Sequence, residues 1–365
     1  MEYIDLGKIC KIKTGKLDAN ASSENGNYPF FTCSKEPLKI DSYSYDCECI
    51  LVAGNGDLNV KYYNGKFDAY QRTYIIEAID KMKYSTKFLY LLINSKIDEL
   101  RKAAIGGVIK YIKLGNLTNI KVPVLSIEEQ QKIVEKMFSM DRVLEIKKNQ
   151  IFKFEELIKS QFIEMFGDFN NSKYDKIKLY KIAKVGSSHR VFTTEFVEDG
   201  IPFYRGTEIT MLANGINPQE CFYISKEHYD RISSDETKPK INDLLMPSIC
   251  DKGQIWLVDT DRPFYYKDGR VLSISLKKEG INPKYLHYYM KNKTIEEYPK
   301  LGTGSTFAEF KIFLLKDMDI IVPPIELQNK FAQIVEQINK QKFEFENSLK
   351  KLEELQASLM QEYFG

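Results

Sequence analysis

Apolar residues recur on alternating four- and three-residue steps in two separate segments of the chain. The first series is Ile133, Met137, Met140, Leu144, Ile151, Phe154, Ile158 and Met165, interrupted only by Lys147 and Gln161. The second series is Phe331, Val335, Ile338, Phe345, Leu349, Leu352, Leu359 and Tyr363, interrupted only by Lys342 and Gln356. Such spacing keeps one apolar seam on one side of a long helix, and this seam must be buried against another. The pattern therefore predicts two long helices that pack through their seams.

Start signals are present in front of both series. Ser126-Ile127-Glu128-Glu129 is a capping box, in which the serine and the second glutamate satisfy free amides of the first helical turn. Pro323-Pro324 supplies proline for the first turn of the second helix. Helices of about 40 residues follow, each roughly 60 Å long at about 1.5 Å per residue.

The two helical segments are copies of each other. When the sequence is shifted by 198 residues, Leu117–Gly167 lies over Leu315–Gly365 without a gap, and 15 of the 51 positions are identical, among them Gln130 with Gln328. A weaker similarity, at a shift of 173, joins the region after Leu6 to the region after Leu179. The chain therefore reads as globule, helix, globule, helix. Two unrelated core helices of a larger bundle are the plain alternative, which the shared register disfavours.

The two globular heads, residues 1–115 and 168–313, are predicted to consist mostly of short strands and turns. Cys49–Val52 and Val271–Ile274 are strand-like, the run from Gly54 to Asp57 is typical of a turn, and Asn64-Gly65 is a hairpin dipeptide. Helical patterns within the heads appear only late in each, as in Phe88–Leu92 and Tyr285–Tyr289. The fold class is therefore α+β, with two mixed α/β heads and two long helices.

Composition and charge narrow the classes of protein. Hydrophobic residues make up 43% and charged residues 28% of the chain, as in ordinary soluble proteins. No apolar run is long enough to span a membrane, and the start of the chain has no signal-peptide pattern, so we expect a cytoplasmic protein. The 53 Lys and Arg against 51 Asp and Glu give a net charge of only +2, so nucleic-acid binding would need local basic patches. The six cysteines and three histidines lack zinc-ligand spacing, and we expect free thiols and no metal.

Motifs for catalysis are missing from the sequence. Adenine-methylating enzymes need a cofactor loop and an Asn/Asp-Pro-Pro-aromatic tetrapeptide, whereas Val322-Pro323-Pro324-Ile325 lacks the Asn or Asp. We find no carboxylate–carboxylate–lysine nuclease constellation and no GxxxxGK[ST] phosphate loop. With three histidines, acid–base catalysis on histidine has little to work with. We therefore expect a chain without a catalytic centre and without a cofactor of its own.

Polar side chains beside tyrosine and glycine form the candidate DNA-binding site of the heads. Arg, Lys, Asn and Gln can read base edges or hold phosphates, and glycine lets backbone approach closely. For any one of them, half-buried packing or a solvated side chain is the better interpretation, so the argument depends on the set. The candidates are Asn55, Lys61, Gln71 and Arg72 in the first head and His189, Arg190, Arg205, Lys252 and Gln254 in the second. Glycine loops at Ile105–Lys110 and Leu301–Thr306 are either phosphate-binding loops or tight turns.

The family is recognisable from the junctions between heads and helices. Ile120-Lys121-Val122-Pro123 leads to Ile127-Glu128-Glu129-Gln130, and a second copy runs from Met318 to Gln328. These stretches, together with Gly54–Asp57, Phe67–Tyr74 and Phe203–Ile209, resemble the specificity subunits of type I restriction–modification systems, over essentially the full chain. The first copy has Leu125-Ser126 where the second has Pro323-Pro324, so the two helix starts are unequal.

The resemblance implies an architecture and a set of partners. Residues 1–115 and 168–313 would be two target-recognition domains, and residues 116–167 and 314–365 two conserved helical regions, paired as an antiparallel coiled coil with a pseudo-twofold internal repeat. Each domain would read one half of a split, asymmetric site in double-stranded DNA. The helices would dock two methyltransferase subunits, which bind S-adenosylmethionine, and motor–nuclease subunits would join for cleavage.

Two other classes of function remain open at this point. The heads could themselves modify DNA, or the chain could be a two-headed scaffold that binds proteins or glycans. Turnover by the chain alone would favour the first class, and failure to bind DNA at low salt would favour the second. Neither class explains why similar helices recur while the heads diverge.

Overall fold

The computed structural model describes residues 2–169, 172–234, 237–277, 279–301 and 308–365, and these residues form two compact units. Unit 1 comprises Met1–Gln150 together with Phe345–Gly365, and unit 2 comprises Ile151–Glu344. No helix in the described ranges is long and apolar enough to cross a membrane. All six cysteines carry free thiols.

The strands of unit 1 are β1 (Tyr3–Asp5), β2 (Cys10–Thr14), β3 (Tyr28–Phe31), β4 (Leu38–Ile40), β5 (Tyr45–Ala53), β6 (Val60–Ala69), β7 (Thr73–Ala78) and β8 (Lys121–Pro123). Six of them form one sheet with the strand order β2-β7-β5-β6-β3-β4. The short helices of unit 1 are α1 (Leu6–Ile9), α2 (Thr86–Ser95), α3 (Ile97–Ala103) and α4 (Leu114–Thr118). Buried Phe88 and Leu92 of α2 share one core with Ile50 and Val52 of β5. The helical pattern and the strand predicted here are both confirmed.

The dipeptide Asn64-Gly65 does not form the predicted hairpin turn. Strand β6 runs through it, with Asn64 opposite Glu48 and Gly65 opposite Cys47 in β5. Gly65 has a φ of +138°, which favours glycine, so the dipeptide marks a backbone distortion inside the strand. The connection between β5 and β6 is instead the segment that begins at Gly54.

The strands of unit 2 are β9 (Lys176–Lys178), β10 (Ala183–Gly186), β11 (Phe196–Val197), β12 (Ile201–Tyr204), β13 (Phe222–Ile224), β14 (Leu244–Pro247), β15 (Trp256–Leu257), β16 (Tyr265–Tyr266), β17 (Val271–Leu276) and β18 (Asp319–Ile321). Eight of them form two four-stranded sheets, with the orders β10-β17-β14-β15 and β11-β13-β12-β16. The shorter helices of unit 2 are α6 (Leu179–Ile182), α7 (Gly206–Ala213), α8 (Lys226–Ile232), α9 (Pro283–Glu297) and α10 (Ile312–Lys316). Strand β17 and helix α9 confirm the strand and the helical pattern predicted for this head.

Two 40-residue helices, α5 (Ile127–Phe166) and α11 (Ile325–Phe364), confirm the prediction from the apolar seams. The capping box forms at the start of α5, since the Ser126 amide donates to Glu129 Oε2 at 2.9 Å and the Glu129 amide donates to Ser126 Oγ at 3.2 Å. Every predicted seam position, including Lys147 and Gln161, is buried or half-buried. The seams are therefore covered along both helices.

Segments of α5 and α11 contact each other within each unit. In unit 1, Gln356 Nε2 donates to Asp141 Oδ1 at 2.6 Å, and Lys148 Nζ lies 2.9 Å from Glu353 Oε1. In unit 2, Lys342 Nζ donates to Glu155 Oε1 at 2.7 Å. The Phe162 and Phe331 rings of unit 2 lie 5.5 Å apart. In both units, residues later in α5 contact residues earlier in α11.

A buried glutamine ties the start of each long helix to its head. Gln130 Oε1 accepts from the Ser85 amide at 2.9 Å, and its Nε2 donates to the carbonyls of Lys83 and Leu125 at 2.9 and 3.0 Å. Gln328 repeats this set of bonds with the following partners: the Asn282 amide at 2.9 Å and the carbonyls of Gly280 and Pro323 at 3.1 and 2.7 Å. Both glutamines are fully buried. Because Ser85 and Asn282 are the N-caps of α2 and α9, each glutamine fixes a helix of the head against the long helix.

A two-stranded sheet joins the first strand of each head to the strand before its long helix. Strand β1 pairs with β8, with Asp5 opposite Lys121, and β9 pairs with β18, with Lys178 opposite Asp319. Lys121 Nζ lies 2.6 Å from Asp5 Oδ1, and Lys178 Nζ lies 3.1 Å from Asp319 Oδ1. The ion pair occupies the same place in both sheets, but the acidic and the basic residue are exchanged between the two strands. If β1 paired with β18, Asp5 would therefore lie opposite Asp319, a like charge.

We predict that the ion pair of unit 1 can be exchanged for the reversed pair of unit 2 without loss of stability. Asp5→Lys should lower the melting temperature, because it places two lysines opposite each other, and Asp5→Lys with Lys121→Asp, which copies unit 2, should restore it. The hydrogen bond from Lys121 lowers the pKa of Asp5 below its ordinary 3.8. The coupling should therefore be complete above that pH and fade as the pH falls through the lowered pKa.

Thermal unfolding of the four-variant cycle at neutral and acidic pH measures this coupling. The cycle is repeated in a Lys8→Ala background, because Lys8 Nζ also lies 3.6 Å from Asp5 Oδ2. Equal melting temperatures for the single and the double variant would contradict the assignment.

Candidate nucleic-acid interface

A short backbone ladder holds together the turns that carry the candidates of unit 1. The Gly54 amide donates to the Arg72 carbonyl at 2.8 Å, and the Gly54 carbonyl accepts from the Ile112 amide at 2.9 Å. Asn55 follows Gly54 and is half-buried, while the Arg72 side chain is exposed. Gly54 has no room for a side chain, since a Cβ would lie 2.3 Å from the Arg72 carbonyl oxygen. The ladder therefore fixes Asn55 and Arg72 on neighbouring segments.

The glycine loop before α4 is a closed turn beside this ladder. Ile105 and Tyr111 exchange two backbone hydrogen bonds, of 3.0 and 2.8 Å, and the Gly56 amide donates to the Lys110 carbonyl at 2.9 Å. The loop holds no Ser or Thr hydroxyl, which favours the tight-turn interpretation for this copy. Of the second glycine loop, Gly302–Thr306 lie outside the described residues.

Unit 2 has a ladder with the same bonds. The Ser248 amide donates to the Arg270 carbonyl at 2.9 Å, and the Ser248 carbonyl accepts from the Phe310 amide at 2.7 Å. The parallel pairing of β3 with β6 in unit 1 also has its equivalent, since β12 pairs in parallel with β16. The turns after β6 and β16 are fixed by equivalent hydrogen bonds of 2.9 Å. The Tyr70 amide donates to the Phe31 carbonyl, and the Lys267 amide donates to the Tyr204 carbonyl.

The guanidinium of Arg205 is held in a defined orientation at the start of α7. Its Nε and Nη2 donate to the Glu208 carboxylate at 3.1 and 2.7 Å, and it lies 4.6 Å from the centre of the Phe222 ring. Burial opposes ionisation of Glu208, but the hydrogen bonds from Arg205 outweigh it and lower the pKa of Glu208. Glu208 is therefore a carboxylate that fixes Arg205, whose Nη1 is not used by these bonds.

His189 and Arg190 lie on an exposed turn in unit 2 whose backbone is anchored. The His189 amide donates to Tyr265 Oη at 2.9 Å, and the Arg190 guanidinium lies 5.4 Å from the Phe192 ring centre. Ser188 Oγ donates to the Tyr266 carbonyl, which connects this turn to strand β16. An anchored turn with an exposed imidazole and guanidinium is suited to contacts with phosphates or base edges.

Comparison with known proteins bears on what these turns do. Residues 1–156 match the model of the Type I restriction modification DNA specificity domain. The Type I restriction enzyme EcoDI specificity subunit of Escherichia coli is 40% identical over 156 residues, which are 43% of this chain and 34% of that protein. The chain is therefore similar to the specificity subunits of type I restriction–modification systems. The match to EcoDI thus spans about a third of that subunit's length.

Longer matches extend the likeness to most of the chain. The putative type I restriction enzyme specificity subunit S.HindORF215P of Haemophilus influenzae is 23% identical over 350 residues, which are 92% of this chain and 87% of that protein. The S subunit of the M. genitalium type I system has the same fold, with a TM-score of 0.61 and 18% identity over 100% of this chain and 96% of that one. A second solved chain of a type I R-M system has a TM-score of 0.61 and 16% identity, and the match covers 100% of this chain and 97% of that one.

Two of the predicted DNA-contact residues use their side chains internally. Lys61 Nζ donates to the Ser34 carbonyl at 2.7 Å and to Asn59 Oδ1, and burial lowers its pKa. Gln254 uses both ends of its amide, since Nε2 donates to Asp251 Oδ1 at 2.7 Å and Oε1 accepts from the Lys252 amide at 3.1 Å. Lys61 and Gln254 therefore shape their turns, and direct contact with DNA stays a prediction for both.

The remaining candidates differ in how far they are held. Gln71 and Lys252 are exposed, and Gln71 Nε2 donates over 3.5 Å to Asp18 Oδ2. The ladder brings Asn55 together with Arg72 in unit 1. In unit 2, Arg205 bonds to Glu208, whereas the Lys252 amide bonds to Gln254. A role in DNA binding stays a prediction for all of them.

The sequence analysis did not identify Lys267 and Arg270 as candidates. Both are exposed and lie in the turn of unit 2 that corresponds to Tyr70–Arg72 of unit 1. The signal was present in the strand pattern, because a strand follows both Arg72 and Arg270 directly. The turn in unit 2 is one residue longer, which hid the correspondence: Thr73 N bonds to Tyr70 O, whereas Val271 N bonds to Lys267 O.

Proposed function

We propose that this chain is a specificity subunit of a type I restriction–modification system and that it reads a bipartite, asymmetric site in double-stranded DNA, one half-site with each head. The observation that carries the proposal is the recurrence of one backbone ladder in both heads, with different polar side chains in the turns around it. Equal scaffolds support equal modes of docking, and different side chains support different half-sites. The residues proposed to contact DNA are Asn55, Gln71 and Arg72 in the first head and His189, Arg190, Arg205 and Lys252 in the second, with Lys61 and Gln254 shaping the turns.

The proposal divides the chain into four parts. Residues 1–115 and 168–313 are the target-recognition domains, and residues 116–167 and 314–365 are the conserved helical regions. The contacts within each unit, with Lys148 on Glu353 and Lys342 on Glu155, support an antiparallel coiled coil of α5 with α11. The equal bonds of Gln130 and Gln328 support a pseudo-twofold repeat.

The partners in the proposal are two methyltransferase subunits and, for cleavage, motor–nuclease subunits. A pseudo-twofold chain presents two similar surfaces, as a dimer would. Leu157 and Leu355 support this, since they occupy equivalent positions of the duplicated helices and are 45% and 51% exposed. S-adenosylmethionine would bind to the methyltransferase, and the present chain would be non-catalytic and work in the cytoplasm, where the DNA is.

Methylation mapping is the test of this function. Genomic DNA from cells that express the chain with its companion methyltransferase is sequenced for methyl-adenine, against cells that lack the chain. We expect one split motif with two different half-sites, and its loss without the chain. A matched strain carries the exposed-position variant Met82→Ser, which should methylate the same motif. If both proteins associate and no chain-dependent motif appears, the two-headed scaffold becomes the better interpretation.

A further inference from the structure

The two ladders carry the same basic residues at their ends. In unit 1, the arginine is Arg72 and the lysine that follows the last ladder residue is Lys113; in unit 2, they are Arg270 and Lys311. Neighbouring hydrogen-bonded segments lie about 5 Å apart. The arginine and the lysine belong to the two outer segments of each three-segment ladder, so their backbones are about 10 Å apart. All four residues are exposed.

Other positions on the ladders have diverged. Asn55 corresponds to Ile249 on the central segment, and Tyr111 corresponds to Glu309 on the last one. A residue that both heads share cannot account for the difference between their half-sites. A shared cation suits the part of DNA that is the same for every sequence, which is the phosphate backbone.

We propose that Arg72 with Lys113, and Arg270 with Lys311, form a duplicated phosphate clamp that holds the DNA backbone at each half-site. The clamp rests on the proposed function, and it assigns to Arg72 a phosphate contact in place of base reading. It sets the position of each head on the duplex and leaves discrimination to the diverged residues around it.

In unit 2, a carboxylate of the protein orients both cations of the clamp. Glu309 lies between the two cations, accepting from Arg270 Nη1 and from Lys311 Nζ, the latter at 2.7 Å. Its side chain is only 15% exposed, while those of Arg270 and Lys311 are 56% and 57% exposed. Glu309 thus holds both cations from the protein side and leaves their outer faces open. Unit 1 has Tyr111 at this place, so its clamp has no carboxylate there.

The salt dependence of DNA binding tests the clamp. The full chain, assembled with its methyltransferase, is titrated with a duplex that carries the mapped site and with one that lacks it, from low to physiological salt. Arg72→Ala with Lys113→Ala should reduce the slope of log K against log salt by about 2, since each phosphate contact contributes about 0.9. Affinity for both duplexes should fall by the same factor, so that their ratio is unchanged. Arg270→Ala with Lys311→Ala should behave alike.

Three further variants sharpen the result. Arg72→Lys with Lys113→Arg keeps both charges and should keep the slope. Lys8→Ala with Lys11→Ala removes two exposed charges elsewhere in unit 1 and should leave the slope as in the wild type. Glu309→Gln removes the carboxylate from the second clamp and should strengthen binding to both duplexes, more at low salt than at high salt.

The outcomes are distinguishable. An unchanged slope in the alanine pairs, or a fall in affinity confined to the duplex with the mapped site, would overturn the clamp while the proposed function stands. A wild-type complex that binds neither duplex at low salt would overturn the proposed function and the clamp with it.

Discussion

Gln328→Met should lower the stability of unit 2 by about 3 kcal/mol, because it removes three hydrogen bonds to backbone groups, each worth about 1 kcal/mol. The Gln328 side chain is fully buried and bonds to the Asn282 amide and to the carbonyls of Gly280 and Pro323. Methionine has a similar shape and fills the space, so the loss comes from the hydrogen bonds and not from a cavity. Gln130→Met should have the same effect on unit 1.

Thermal unfolding of the full chain measures this effect, and we expect a fall in melting temperature of about 6 °C or more. Gln333→Met is the matched control, because Gln333 is exposed on the same helix. It should change stability by less than about 0.5 kcal/mol. Equal stability of the Gln328 and Gln333 variants would mean that the buried amide does not fix the head to the long helix.

Gly54→Ala should disrupt the first ladder and abolish methylation of the split site. The added Cβ would lie 2.3 Å from the Arg72 carbonyl oxygen, which is itself held by the Gly54 amide at 2.8 Å. Because the obstacle is backbone, the two segments must separate, at a cost of about 3 kcal/mol, the upper end for overpacking. Asn55 and Arg72 then lose their common support.

Two other glycine variants separate the causes of this effect. Gly107→Ala meets nothing within 4 Å and should be neutral, whereas Gly56→Ala meets nothing but has a φ of +70° and should show backbone strain alone. Urea unfolding and methylation of a plasmid with the mapped site are measured for all three. Wild-type methylation by the Gly54 variant would contradict a role for the ladder in recognition.

Much of the helical scaffold could be predicted from the sequence because its information is local. The seam from Ile133 to Met165 repeats within one helix, and the capping box at Ser126 lies within four residues. A period of 3.5 residues in the sequence is the period of one face of a helix, so no distant contact is needed to interpret it. The duplication could be found for the same reason, since equal helices keep equal seams.

The hairpin dipeptide Asn64-Gly65 shows where local information misleads. Its chemistry is that of a turn, but the pairing of β5 with β6 continues through it over eight residue pairs, from Val52 opposite Val60 to Tyr45 opposite Phe67. The cross-strand bonds and buried side chains of a long strand pair outweigh the preference of two residues. Glycine at position 65 then serves a distortion instead of a turn.

By itself, the sequence determined the order of heads and helices, the seams, the resemblance to a family and the set of residue types suited to binding DNA. Only the tertiary structure decided which of these side chains are committed internally, as Lys61 and Gln254 are, and which one is held by a carboxylate, as Arg205 is by Glu208. It alone revealed Arg270 as the counterpart of Arg72. The physical reason is that loop side chains are placed by hydrogen bonds to segments far away in sequence, here Gly54 to Ile112 and Ser248 to Phe310, and no local pattern records such partners.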